Sequence, residues 1–215
     1  MSTPIPWHLL PGPLVMIDLE TTGTSPTYHR IVELAAVRKA PGEPTQVLHT
    51  LVDHGQRRVG ATHVHGITRQ MLDGAPTIQQ VLPLLRDMCT GATMVAHNAS
   101  FEHRFLSMEM ERCGGAWGMA RLCTLLLARR LHPERRDHGG HGLGSMARCY
   151  DIRVQAAHTA LGDVRMMSIM LGQMLRRFVD HERLPSALSE ASRPPAEDWK
   201  WPVTDPHTIL KPRWS

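Results

Sequence analysis

Residues 15–23 read VMIDLETTG, Val15-Met16-Ile17-Asp18-Leu19-Glu20-Thr21-Thr22-Gly23. The run starts apolar, turns acidic and ends in a Thr-Thr-Gly turn. Side chains alternate across a strand, so Asp18 and Glu20 share one face while Val15, Ile17 and Leu19 take the other. Two carboxylates on one face disfavour each other's ionised form unless something positive sits between them. Either the strand end frays into a solvated acidic turn, or the pair holds a divalent metal. The dipeptide pattern fits both readings, and the rest of the chain must choose.

Working outward, residues 14–20 read as a first strand, 30–39 (RIVELAAVRK) as a second and 46–53 (QVLHTLVD) as a third. Short connections containing Gly or Pro predict an antiparallel meander. After residue 60 the texture changes. Ile78, Val81, Leu82 and Leu85 recur at helical period. ATMVAHN is a short buried strand, and SFEHRFLSMEMERC follows with Phe101, Phe105, Met108 and Cys113 on one stripe, which makes a βα unit. LCTLLLARRL reads as a helix with room for a short strand before it, GLGSMARCYDI as a short helix, and TALGDVRMMSIMLGQMLRRF as a long amphipathic one. A meander followed by alternating β and α predicts an α/β domain with a mixed sheet. Residues 1–13 form a Pro-rich lead, 14–179 the domain, and 180–215 an extended tail with six prolines and the stretch EDWKWP.

Two further acids stand out. Glu102 falls in the first turn of its helix, where the helix dipole favours an acid in any case. Asp163 shares a helical stripe with Ala160, Met167, Met170 and Met174. A carboxylate on an apolar face is costly and needs an arginine or a metal as partner. His158 precedes it by five residues. Residues beyond the carboxyl ends of strands in an α/β sheet converge in a crevice. Four oxygen-donor acids with no Cys suit hard cations such as Mg²⁺ or Mn²⁺.

The chain has 215 residues, 24 Lys+Arg against 20 Asp+Glu, and a formal net charge of +4, which permits a polyanionic partner without demanding one. Arginine strongly outnumbers lysine, and its fork suits phosphate oxygens. Cys89, Cys113, Cys123 and Cys149 form no C-x-x-C pair, which argues against a zinc ribbon or a redox motif, and a reducing cytoplasm fits them. Pro4, Pro6, Pro11 and Pro13 with no basic lead argue against a signal peptide. No apolar run approaches the length of a membrane span.

Taken in order, IDLETTG with HRIVELAAV, AHNASFEHRFL and HTALGDV resemble the three motifs of the DEDDh 3′–5′ exonucleases, the family of the bacterial replicative proofreading subunit. HVHGIT at residues 63–68 and HGLGSMARCYDI also match segments of that family, and the resemblance covers residues 14–178. One departure is Glu102, where the family usually has Asp. The resemblance implies a ribonuclease-H-like fold, a mixed five-stranded sheet flanked by helices. It implies that Asp18, Glu20, Glu102 and Asp163 hold two Mg²⁺ or Mn²⁺ ions, with His158 as the general base that takes a proton from the attacking water. Thr21, Thr22, His65, Asn98 and Phe101 would surround the 3′-terminal nucleotide of DNA or RNA, and the product would be a nucleoside 5′-monophosphate.

Other residues keep more than one reading. His132, His138 and His141, beside four arginines in residues 129–142, are a solvated basic loop, a zinc site or a contact for backbone phosphates. Glu33 is structural or catalytic. Trp199 and Trp201 pin the tail to its own domain or stack on bases. Besides the exonuclease, a 3′-end-binding module with catalysis weakened by Glu102 fits the sequence. So does an assembly subunit whose tail recruits it to a polymerase or another nucleic-acid-processing complex.

Overall fold

The computed structural model describes residues 5–136, 139–153 and 159–202. The acidic strand read above is β1 (Leu14–Thr21), and it runs through the middle of the sheet. It pairs antiparallel with β2 (Ile31–Lys39), which pairs antiparallel with β3 (Gln46–Leu51). This is the expected meander. On its other side β1 pairs parallel with β4 (Thr93–Ala96), and β4 pairs parallel with β5 (Arg121–Cys123). A two-residue edge strand, β6 (Ser192–Arg193), adds antiparallel to β5, so the sheet has six strands in the order β3-β2-β1-β4-β5-β6. Five of them are those read from the sequence; β6 is too short to leave a periodic signal.

The seven α-helices of the described residues are α1 (Thr62–His65), α2 (Ile78–Cys89), α3 (Ala99–Arg112), α4 (Thr124–Leu131), α5 (Leu143–Cys149), α6 (Ala160–Arg177) and α7 (Leu184–Ala191). They cover both faces of the sheet, and strand alternation decides which residues meet which helices. Val15, Ile17 and Leu19 pack with the apolar stripes of α2 and α3, among them Val81, Leu82, Leu85, Phe105 and Leu106. Leu14 and Met16 point the other way, into a core made with α4, α5, α6 and α7. Asp18 and Glu20 continue the row that Leu14 and Met16 begin. The α6 side of β1 therefore changes from greasy to acidic as the strand reaches the edge of the core.

Residues 180–202 are not uniformly extended. Leu184, Ala187 and Ala191 of α7 are buried in the same core as α4 and α6. Beyond α7 the chain returns along β5 and is tied down by its backbone. The Ala116 and Lys200 N–H groups each donate to the other's carbonyl, at 2.7 and 2.8 Å, and the Ala196 N–H donates to the Gly118 carbonyl at 2.7 Å. Trp201 meets Trp117 edge-on at 5.6 Å, and Trp199 meets Trp201 at 5.9 Å. Gly118 permits this approach, because a Cβ there would lie 2.6 Å from the Ala196 Cβ. Among the described residues no helix is long and apolar enough to cross a membrane.

Removing a buried leucine side chain costs about 2–5 kcal/mol where the site cannot collapse. Leu184→Ala is expected to lower the urea midpoint of the whole domain by a corresponding amount without changing the slope of the transition. An unaltered midpoint would show that α7 merely lies on the surface.

Candidate active site

Three elements deliver the acids. Asp18 and Glu20 come from the end of β1, Glu102 from the first turn of α3 just past β4, and Asp163 from the first turn of α6. All four line one cavity of about 340 Å³ at that end of the sheet. Asp18, Glu20 and Asp163 each present a carboxylate oxygen within 4.8 Å of the others. Glu102 lines the same cavity but lies outside that tight group. It is 3% exposed, and its Oε2 has no hydrogen-bond partner among the described residues.

The electrostatics follow from this crowding. Burial pushes Glu102 up to about 8. Burial, then Glu33 and Asp163, push Glu20 up to about 7. Asp18 is held well above the usual carboxylate range by burial first, then by Glu102, Asp163, Glu20 and Glu33. Such a site is relieved either by protons or by a cation. The donor set consists of hard carboxylate oxygens, and Glu102, whose buried Oε2 has no hydrogen-bond partner among the described residues, lines the same cavity, so a divalent metal fits it.

Glu33 has a structural role. It stands opposite Glu20 in the β1–β2 register, is buried, and accepts hydrogen bonds from His49 Nε2 at 2.6 Å and from the Ala160 N–H at 3.2 Å. The second bond places a carboxylate on the N-terminus of α6, where the helix dipole favours it. It thereby fastens the helix that carries Asp163 to the sheet that carries Glu20. Thr159 caps the same helix, its side chain accepting from the Gly162 N–H.

The residues expected around a terminal nucleotide are arranged as follows. Thr21, His65, Asn98 and Phe101 line the cavity with the acids. Thr22 does not line it. It is buried beside it and holds the β1 bulge closed, its N–H donating to the Arg30 carbonyl at 2.9 Å and its hydroxyl accepting from the Arg30 N–H at 3.0 Å. The loop carrying His65 packs directly on Thr22, and a Cβ on Gly60 would lie 2.1 Å from the Thr22 carbonyl oxygen. His65 is oriented by donating from Nε2 to the Gly60 carbonyl at 3.1 Å and accepting at Nδ1 from the Ile67 N–H at 3.0 Å. Asn98 caps α3 in the left-handed region, φ 92°. Phe101 leans on Phe105 at 4.8 Å. His158 lies outside the described residues.

His97, which was not expected at the site, also lines the cavity. Burial lowers its pKa to about 4, so the ring is neutral. Its Nε2–H donates to the His141 carbonyl at 2.8 Å, and its Nδ1 accepts from the Thr124 hydroxyl at 3.0 Å. Its position directly after β4, within the AHNASFEHRFL stretch, was its signal in the sequence.

Comparison with known proteins agrees with this geometry. A family profile described as Exonuclease matches residues 15–170. The chain belongs to the exonuclease family. It is an exonuclease by that membership, which carries dependence on a divalent metal. This exonuclease is 33% identical over 171 residues to the DNA polymerase III PolC-type of Lacticaseibacillus paracasei, an alignment covering 77% of this chain and 11% of that protein. The chain thus spans about a tenth of that relative. The structure of Exonuclease X in complex with 5′ overhanging duplex DNA superposes with a TM-score of 0.62 at 26% identity, covering 81% of this chain and 99% of that one. The nuclease domain of 3′hExo, a DEDDh family member bound to rAMP, shares the fold, with a TM-score of 0.60 at 16% identity over 80% of this chain and 94% of that one. The mixed α/β architecture is therefore the ribonuclease-H-like fold of these exonucleases.

The pKa shifts have a sign that can be tested. Glu102 and Glu20 titrate at about 8 and about 7 in the fold, against an ordinary glutamate value of 4.5. Their folded-state values are raised, so the metal-free exonuclease loses stability as pH rises from the unfolded value through 7 and 8. A divalent cation competes with those protons. The rise in Tm on adding Mg²⁺ or Mn²⁺ is expected to be larger at about pH 8.5 than at about pH 6. Glu102→Gln is expected to raise the metal-free Tm at the higher pH and to shrink the gain from metal. An equal gain at both pH values would mean that the acids do not bind the cation.

Proposed function

We propose that this exonuclease removes nucleotides one at a time from the 3′ end of DNA or RNA and releases nucleoside 5′-monophosphates, using two Mg²⁺ or Mn²⁺ ions. The observation that carries the reading is the convergence of Asp18, Glu20, Glu102 and Asp163 on one cavity from three separate elements. Asp18, Glu20 and Asp163 would hold the cations, with Glu102 reaching in from α3. Bound there, the ions supply charge that activates a nucleophile and stabilises a leaving oxygen.

The chain's own groups do the rest. His158 takes the proton of the attacking water, a role that suits an imidazole because an unperturbed one titrates at about 6.5. Phe101 and Asn98, at the start of α3, and His65 and Thr21, across the cavity, hold the terminal nucleotide. Thr22 acts through them by keeping the bulge and the His65 loop in place. Similarity to PolC-type polymerases supports a polymerase context; in this reading residues 180–215 hold the recruiting segment and the cytoplasm is the compartment.

A second reading is a 3′-end-binding module with weakened catalysis. It is favoured by one observation, that Glu102 stands outside the three-carboxylate group. A labelled strand with Mg²⁺ and then EDTA, run on matched DNA and RNA, separates the two. Stepwise shortening abolished by EDTA supports the enzyme, whereas tight binding without shortening supports the module.

Two substitutions sharpen the assignment. His158→Ala is expected to lower turnover by about 10²–10⁴-fold while 3′-end binding stays near normal, as removal of a general base does. Near-normal rates at neutral pH would take His158 out of the mechanism. Glu102→Ala is expected to lose most activity and Glu102→Asp to keep a measurable part of it. Wild-type cleavage by Glu102→Ala in Mg²⁺ would reduce Glu102 to a first-turn helix acid.

A further inference from the structure

A second concave surface is separate from the acidic cavity. It is a groove of about 1040 Å³ between α4, the turn that follows it, and α7. Its charge is of the opposite sign. Arg129, Arg130, Arg136 and Arg183 line it with, among the described residues, a single carboxylate, Glu190. Arg130 is paired with that carboxylate. Arg129, Arg136 and Arg183 are exposed, and none forms an ion pair or a side-chain hydrogen bond with another described residue. By contrast Arg135, in the same segment, is committed to the fold through the Gly140 carbonyl and the Ser145 hydroxyl. Three guanidinium forks thus line one space without a neutralising partner among the described residues.

The groove adjoins the acidic cavity. His141 lines the groove, His97 lines the cavity, and the two are joined by the 2.8 Å bond from His97 Nε2–H to the His141 carbonyl. Arg129 lies near enough to His97 to help hold its ring neutral. A polyanion approaching the cavity meets four acids there, and an arginine-lined wall immediately beside them supplies the opposing attraction. Guanidinium forks match phosphate oxygens and read no base.

We infer that the α4–α7 groove binds the phosphodiester backbone of the polynucleotide behind the 3′-terminal nucleotide, so that the strand being degraded is held at two places. This rests on the exonuclease reading for what the strand undergoes, but not for whether it binds.

The test compares a long oligonucleotide, as DNA and as RNA, with the p-nitrophenyl ester of thymidine 5′-monophosphate, which is too small to reach the groove. In the double variant Arg129→Gln with Arg183→Gln, the ratio of kcat/KM for the long strand to that for the ester is expected to fall about tenfold, and the salt slope of strand binding to drop by about 0.7 per arginine removed. Glu190→Gln frees Arg130 and is expected to tighten strand binding, a gain that a merely structural role for these residues would not give. All are exposed positions, and thermal midpoints confirm folding. The binding arm is run in EDTA, so it reads the groove even if the chain shortens no strand. A fall on either DNA or RNA supports the inference. An unchanged ratio and an unchanged salt slope in both variants overturn it and leave the arginines to a protein partner with an acidic face.

Discussion

Crowding of like charge at the end of β1 is the constraint around which this molecule is organised. Asp18, Glu20 and Asp163 bring oxygens within 4.8 Å of one another, with Glu102 buried alongside. Such a cluster is unfavourable in a metal-free fold, and the scaffold must hold it together. The two-sided burial of β1 does so. Leu14, Met16 and Ile17 are fully buried, each worth about 1.5–3 kcal/mol of apolar burial, and they anchor the strand that carries the acids.

The supporting contacts around the acids serve the same end. Glu33 ties the start of α6 to β2, so that Asp163 faces Glu20 from a fixed helix. The bulge after Glu20 turns the chain into the Thr21–Thr22 segment, and Gly60 lets the His65 loop close on it. Across the sheet, neutral His97 links the end of β4 to the loop before α5. Each of these polar contacts lies outside the acidic group and restricts how it can rearrange. The site is therefore positioned by elements that packing has already made rigid.

Much of this was legible in the sequence because it depends on local periods. Alternation alone separated Asp18 and Glu20 from Val15, Ile17 and Leu19, and the three-and-four stripe placed Asp163 on the inward side of α6. Convergence beyond the carboxyl ends of the strands grouped the four acids, and resemblance to a family supplied their roles. What escaped depends on contacts distant in sequence. Leu184–Ala191 sits in proline-rich surroundings and becomes core only because α4 offers it a face. The two residues of β6 are a strand only because β5 is there to pair with. Thr22 was expected in the cavity, but the bulge turns it beside it. The roles of His97 and Glu33 come from partners far along the chain, His141 for one and Ala160 for the other. His158 was read from its motif and lies outside the described residues.

The topology also bears on when the chain acquires its chemistry. The acids come from the first strand, from a helix midway along the chain and from a helix near the end of the domain. A chain emerging from the ribosome has β1 and its two carboxylates early, but Asp163 arrives only after nearly every other element. Contacts between such distant segments form late in folding, after long loops have closed. A partly made or locally unravelled copy therefore lacks a complete set of acids, and hydrolytic capacity is withheld until the fold is finished. The order of the chain thus ties the exonuclease's chemistry to the finished fold.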